Sequence, residues 1–347
     1  MSSKYQRAVS QDVFIFRAVF VATAIAFANG LCVASTPSKI VRYTNPRTYD
    51  IEHSVVVTND SSVLTSLEMW IPVAQNHPEQ AVRHIKITPN VPIFRDPTGT
   101  AAVAKLFMTK DLPAEGQSVS LKVSYELTAR EVIADKAALA RYPYKPYRKN
   151  KTYVDFTRKE KKIEIDLPEI TSQAALIKAE QRSAVSIARA AYDWVLERTS
   201  YKLIEGFGGA AYCLRKCHGE CGDYSALFVA LCRAAGIPAR PVTGFWADKT
   251  DSWHVWAEFM LPSGEWIAVD CSLGDQSEKK REYYFGSLDN RRVALCKTFD
   301  VVLAEARTGK KEIDFLQTGA WWWYASKIGR PPTAKFTAQG QPVQDTH

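Results

Sequence analysis

Three cysteines, Cys213, Cys217 and Cys221, recur at four-residue steps in YCLRKCHGECGDYSALFVALCRAAGIPAR, residues 212–240. Cysteines so placed admit three chemistries: metal ligation, a disulfide, or a nucleophilic thiolate. Zinc usually takes four Cys or His ligands. His218 would complete such a set, but these steps are not the usual CxxC knuckle. A disulfide is favoured over zinc. A Cys213–Cys217 bond needs suitable side-chain directions within one helical turn. A Cys217–Cys221 bond would cap the nucleophile and place activity under redox control. The third chemistry has the most around it. From Cys221 the chain reads as a helix to Ala235, with Tyr224, Leu227, Phe228, Leu231 and Ala235 on one stripe. Gly236 and Pro238 then stop it. Unpaired N–H groups and the macrodipole at a helix start favour a thiolate and can donate to an oxyanion. Asp223, in the first turn, suits the same dipole and reads as structural.

A cysteine nucleophile needs a base, and the base needs an orienting group. His254 lies in the alternating strand WHVWAEFML, and Asp270 ends the strand EWIAVD. Pro262-Ser263-Gly264 turns one into the other. The even separation of His254 and Asp270 puts them on one face of the hairpin, opposite or diagonal to each other. Taken singly, Cys221 is a buried small hydrophobe, His254 a satisfied core histidine and Asp270 a strand-end cap. In order, they predict a Cys-His-Asp triad.

The motifs around them resemble the transglutaminase-like superfamily. Cys221-Gly222-Asp223-Tyr224, Leu227-Phe228, Arg233 to Arg240, Val242 and Gly244 carry the likeness. His254-Val-Trp256-Ala-Glu258 and Gly264 to Asp270 continue it, over about residues 180–290, and YYFGSLDNRRVAL resembles the tails of bacterial members. The resemblance implies a papain-like fold with Cys221, His254 and Asp270 as its catalytic residues, without fixing the reaction. Cys213 and Cys217 are no part of that pattern. For the oxyanion, the Cys221 backbone N–H is the first donor; Tyr212 and His218 are nearby choices for the second.

The elements that must position this chemistry read as an α+β chain. One long helix followed by a meander argues against a doubly wound sheet. The predicted order is a signal peptide at 1–35, a β-sandwich domain at 36–135 and a basic Tyr/Pro-rich linker at 136–175. A transglutaminase-like catalytic domain at 176–300 follows, then C-terminal strands and a flexible tail at 301–347. The sandwich rests on short alternating strands separated by TNDSS, PNVP, RDPTGT and PAEGQ. The signal peptide rests on Lys4, Arg7 and Arg17, the run Ala18 to Ala28 and a small-residue site near Ala34, so an exported protein starting near Ser35 or Thr36 is expected. Trp321-Trp322-Trp323-Tyr324 reads as packing rather than a sugar platform.

With 347 residues, 46% hydrophobic and 24% charged, the chain can bury a sizeable core. Its formal charge is +8, much of it between Arg141 and Lys162. A solvated linker explains that run better than weak contact with an anionic envelope surface. No nucleic-acid motif is present. No cofactor, metal or calcium loop is required. The expected function is thiol-dependent acyl transfer on amide bonds of peptides or proteins, through a thioester and with water as acceptor. The alternatives are a protein-glutamine transglutaminase and a binding scaffold with an inert triad.

Overall fold

The computed structural model describes residues 39–96, 98–303 and 311–343; the expected signal peptide lies outside them. Strands come first: β1 (Val41–Thr58), β2 (Val63–Pro72), β3 (Gln80–Thr88), β4 (Ile93–Arg95), β5 (Ala102–Met108) and β6 (Ser118–Ala134). Helices α1 (Lys136–Ala140), α2 (Lys151–Asp155), α3 (Pro168–Glu180) and α4 (Ala184–Arg198) follow. Short strands β7 (Ser200–Tyr201) and β8 (His218–Gly219) flank α5 (Ala210–Lys216). The next group is α6 (Cys221–Ala234), β9 (Ala239–Trp246), β10 (Trp253–Met260), β11 (Trp266–Val269), α7 (Cys271–Gly274), α8 (Glu278–Tyr284), β12 (Ser287–Leu288) and β13 (Arg292–Cys296). Strands β14 (Val301–Leu303), β15 (Lys311–Ile313), β16 (Ala320–Lys327) and β17 (Thr333–Pro342) come last.

Alternation along β1 and β6 buries Ile51, Val55 and Val57 with Leu121, Val123 and Leu127. These strands form an antiparallel sheet in the order β12-β6-β1-β17, with β3 also on β6. A second antiparallel sheet, β16-β2-β5-β4, contributes Leu67, Met69, Trp70 and Ile71 to the same apolar core. Trp321, Trp322 and Trp323 on β16 pack half-buried against it. The mixed α and antiparallel β architecture agrees with the sequence.

The third sheet, β11-β10-β9-β13, carries His254 on β10. Helix α6 packs on β9 and β10, beside α3 and α4. The sequence stripe is buried, but so are Ala226, Val229, Ala230 and Cys232, so α6 is a central helix enclosed all round. It ends in a Schellman motif: Ile237 N–H donates to the Cys232 carbonyl at 2.8 Å and Gly236 N–H to Arg233 at 2.9 Å. Gly236 has φ +86°, which glycine adopts without a Cβ penalty.

Two segments differ from expectation. The basic stretch before α3 is docked, not a solvated spacer. Tyr147 donates to the Met260 carbonyl at 2.5 Å, and Phe156 packs edge-on against Trp266. Glu160 pairs with Arg233 at 2.8 Å, both fully buried at the side chain, and Ile163 is buried. These inward residues lie at irregular spacing, so no periodicity marked them; Arg141, Lys145, Arg148 and Lys149 do face solvent. Pro168 opens α3, where its missing N–H costs nothing. The segment after Gly329, expected as a flexible tail, forms β17 and pairs with β1 from Thr333 to Pro342. Ala334, Phe336 and Ala338 turn inward there, a short alternation easily missed between polar residues.

Candidate active site

Cys221 is the first residue of α6 and is half-buried. The start of the helix is fixed by Asp223, whose carboxylate accepts the N–H groups of Gly208 at 3.0 Å, Gly209 at 2.8 Å and Glu220 at 2.9 Å. Burial pushes the Asp223 carboxyl up, and those three bonds oppose it. Glu220 accepts the Ile204 N–H at 2.7 Å. The glycine loop before α5 is thereby tied to the helix that bears the sulfur, as the structural reading of Asp223 requires.

The hairpin supplies the other two groups. Strand β10 pairs with β11 so that Ala257 faces Val269 and Met260 faces Trp266. Continued one step, this register sets Asp270 across from Trp256 and diagonal to His254, on one face. His254 Nε2 lies 2.7 Å from Asp270 Oδ2. The Cys221 sulfur is near enough to the same imidazole to favour its charged form. With Nε2 directed at the carboxylate, Nδ1 is left for the sulfur. The three residues singled out in sequence are thus brought together.

Electrostatics favour a charged imidazole. Burial opposes its protonation, but the Asp270 carboxylate and the Cys221 sulfur push His254 up to about 9. Burial likewise opposes the charge on Asp270, yet His254 and Arg292 hold it well below the usual carboxylate range. Asp270 Oδ2 accepts from Arg292 Nη1 at 2.7 Å, and Oδ1 accepts the Leu273 N–H at 3.1 Å as the cap of α7. Asp270 is thus both the cap at the end of β11 and the partner of the His254 imidazole.

Sequence reasoning missed several neighbours. Arg292, buried on β13, also pairs with Asp289 at 3.1 Å and lies over Trp246 at 4.6 Å. Trp246 stacks on the His254 ring with centroids 5.1 Å apart. Gln317 Nε2 donates to the carbonyls of Gly244 at 2.7 Å and His254 at 2.9 Å, fixing the strand that bears the imidazole. Arg292 falls in the tail motif noted above, so its presence was legible although its partner was not. Nothing in the sequence around Gln317 signals its role.

Cys221 opens into a cleft of about 550 Å³, whose walls include Tyr201, Leu203, Phe207, Trp253 and Phe315. Tyr212 and His218, the nearby choices for a second oxyanion donor, are absent from that lining; Tyr212 Oη and His218 Nε2 lie 3.1 Å apart and bond each other. Among the described residues all six cysteines are free thiols, so neither disulfide in the 213–221 cluster is formed. Cys217 is exposed at the left-handed end of α5 while Cys213 is buried, and among the described residues no group of three His, Cys, Asp or Glu is placed to hold a metal.

Residues 171–271 match the family described as the transglutaminase-like superfamily. Among solved structures, the chain is similar to a candidate cysteine protease from Cytophaga hutchinsonii, 17% identical, with a TM-score of 0.56 over 87% of this chain and 100% of that one. It is also similar to the periplasmic domain of TgpA from Pseudomonas aeruginosa bound to ethylmercury, 16% identical, with a TM-score of 0.32 over 63% of this chain and 93% of that one. No curated protein matches it. The chain thus shares its fold with the first of these structures, and its residues 171–271 match the transglutaminase-like superfamily model.

Proposed function

We propose that the protein is a thiol-dependent acyl-transfer enzyme acting on amide bonds of peptides or proteins, with Cys221 as nucleophile, His254 as base and acid, and Asp270 as the group that orients and charges the imidazole. The observation that carries this is the buried His254 imidazole, bonded to the Asp270 carboxylate and close enough to the half-exposed Cys221 sulfur to be held charged by both. His254 takes the thiol proton, and the thiolate attacks the amide carbonyl carbon. As the C–N bond breaks, His254 passes that proton to the nitrogen, the amine leaves, and a thioester remains. The N–H groups at the start of α6 supply the oxyanion contact. Water, deprotonated by His254, then cleaves the C–S bond to a carboxylic acid and restores the thiol. An amine in place of water would give transamidation by the same steps.

The protein-or-peptide substrate class is supported by the cleft, which is open enough for a chain segment and walled by aromatic side chains. Export is supported by the order of charged, apolar and small residues in 1–35 alone. The mature amino terminus, read by mass, checks it.

The test is intact-mass trapping of an acyl-enzyme with a peptide-amide library, alongside iodoacetamide labelling at neutral pH. On exposure alone Cys217 should label first. Faster labelling of Cys221, lost in His254→Ala, together with a thioester adduct absent from Cys221→Ala, is the expected result. Cys217 labelling ahead of Cys221, with no adduct, favours the inert scaffold and ends this reading.

A further inference from the structure

The chain carries a formal charge of +8, yet the cleft beside Cys221 is lined by Glu220, Asp223 and Asp251 and, among the described residues, by no lysine or arginine. Asp223 is spent on three backbone N–H groups. Glu220 and Asp251 also accept backbone N–H groups, of Ile204 at 2.7 Å and Ala338 at 2.8 Å, but their charge stays at the cleft: one immediately precedes the nucleophile, and the other is exposed on the β9–β10 turn. A second observation in the same cleft also concerns what binds there. Leu203 is 75% exposed and Tyr201 52% exposed, large apolar surfaces beside a nucleophile. With Trp253 and Phe315 they make an apolar wall with acid at its rim, the composition of a binding site rather than of idle surface.

We infer, on the reading of Cys221 as nucleophile, that the cleft selects peptides in which an apolar side chain and a cationic side chain flank the reacting amide. The apolar group lies against Tyr201 and Leu203, and the lysine or arginine reaches Glu220 and Asp251. Its charge is opposite to theirs, so a cationic peptide is held more tightly than a neutral or anionic one.

Binding is measured first with the full chain carrying Cys221→Ala, which needs no chemistry. Labelled peptides of one apolar scaffold differ only in Lys, norleucine or Glu beside the amide. At low salt the Lys peptide should bind about 10-fold more tightly than the Glu peptide. The ratio should shrink toward unity as salt rises and should narrow to about 3-fold in Asp251→Asn. Equal affinities, or a preference for Glu, overturn the inference. Acylation of the wild-type chain by the same peptides is read separately by intact mass. Adducts formed without charge preference would leave the acyl-transfer reading standing and sink this one. Cationic preference in binding with no adduct from any peptide would do the reverse.

Discussion

One face of the β10 strand carries two buried charged clusters, four residues apart. At one end His254 meets Asp270 and Arg292. At the other Glu258 meets Arg240 at 2.6 Å and Lys297 at 3.0 Å, and Lys297 reaches Glu79 at 2.5 Å. Both are desolvated and well paired. Only the first holds a group that can exchange a proton near neutrality and a thiol that faces a cleft. Burial opposes the charge on Glu258, but Arg240 and Lys297 hold it down at about 2. Buried charge on its own thus marks either structure or chemistry; an imidazole with one side open to a nucleophile is what separates them.

The comparison can be broken most strongly at Asp270. Asp270→Asn should lower acylation by on the order of 10³- to 10⁴-fold, through loss of the tautomer and of the imidazolium partner. It also moves a pH limb. His254 sits at about 9, so the charged pair persists below that and acylation falls as pH rises through it. Removing the carboxylate lowers the histidine, and the residual alkaline fall should shift toward the free imidazole value of about 6.5. A limb that stays at 9 would show that Asp270 does not set it.

Arg292→Met should reduce turnover less, by about 10-fold, because Asp270 stays ionised but loses a fixed partner. The alkaline limb should remain near 9. Loss of one member of a buried pair should cost about 3–5 kcal/mol in denaturant unfolding. A shifted limb would assign Arg292 more than a positioning role. Glu258→Gln is the smallest in chemistry: a similar stability loss, with turnover per folded molecule unchanged. Any change in turnover beyond the folded fraction would erase the distinction between the clusters.

The clusters should also fail at opposite ends of the pH scale. His254 is raised above its unfolded value, so its contribution is complete below about 6.5 and lost as pH rises through 9. Glu258 is depressed, so its contribution is present above its unfolded value and lost as pH falls toward 2. Asp270, also depressed, adds an acid loss to the first cluster. Urea unfolding across pH should therefore show an alkaline destabilisation that His254→Gln removes and Glu258→Gln leaves in place.

What could be read before the structure was local. Helix α6, with its apolar positions and its Gly-Pro stop, and the β10–β11 hairpin are each coded within about 20 residues, so periodicity and turn chemistry sufficed. The Cys-His-Asp grouping needed only that these two units touch. The remainder depends on contacts across long chain separations. Arg292 reaches back 22 residues to Asp270, and Gln317 reaches 63 residues to His254. The inward side of the basic stretch is set by where Tyr147, Phe156 and Glu160 find partners, which a count of lysines does not show. The two unread acids of the cleft, Glu220 and Asp251, lie far apart in sequence and become neighbours of one space only through the packing of α6 on the sheet.

Because β17 completes the sheet that β1 begins, the first long strand of the fold waits for almost the last one. A growing chain must therefore keep that edge unpaired until β17 arrives, a slow, non-local closure that leaves a backbone edge open to self-association in the meantime.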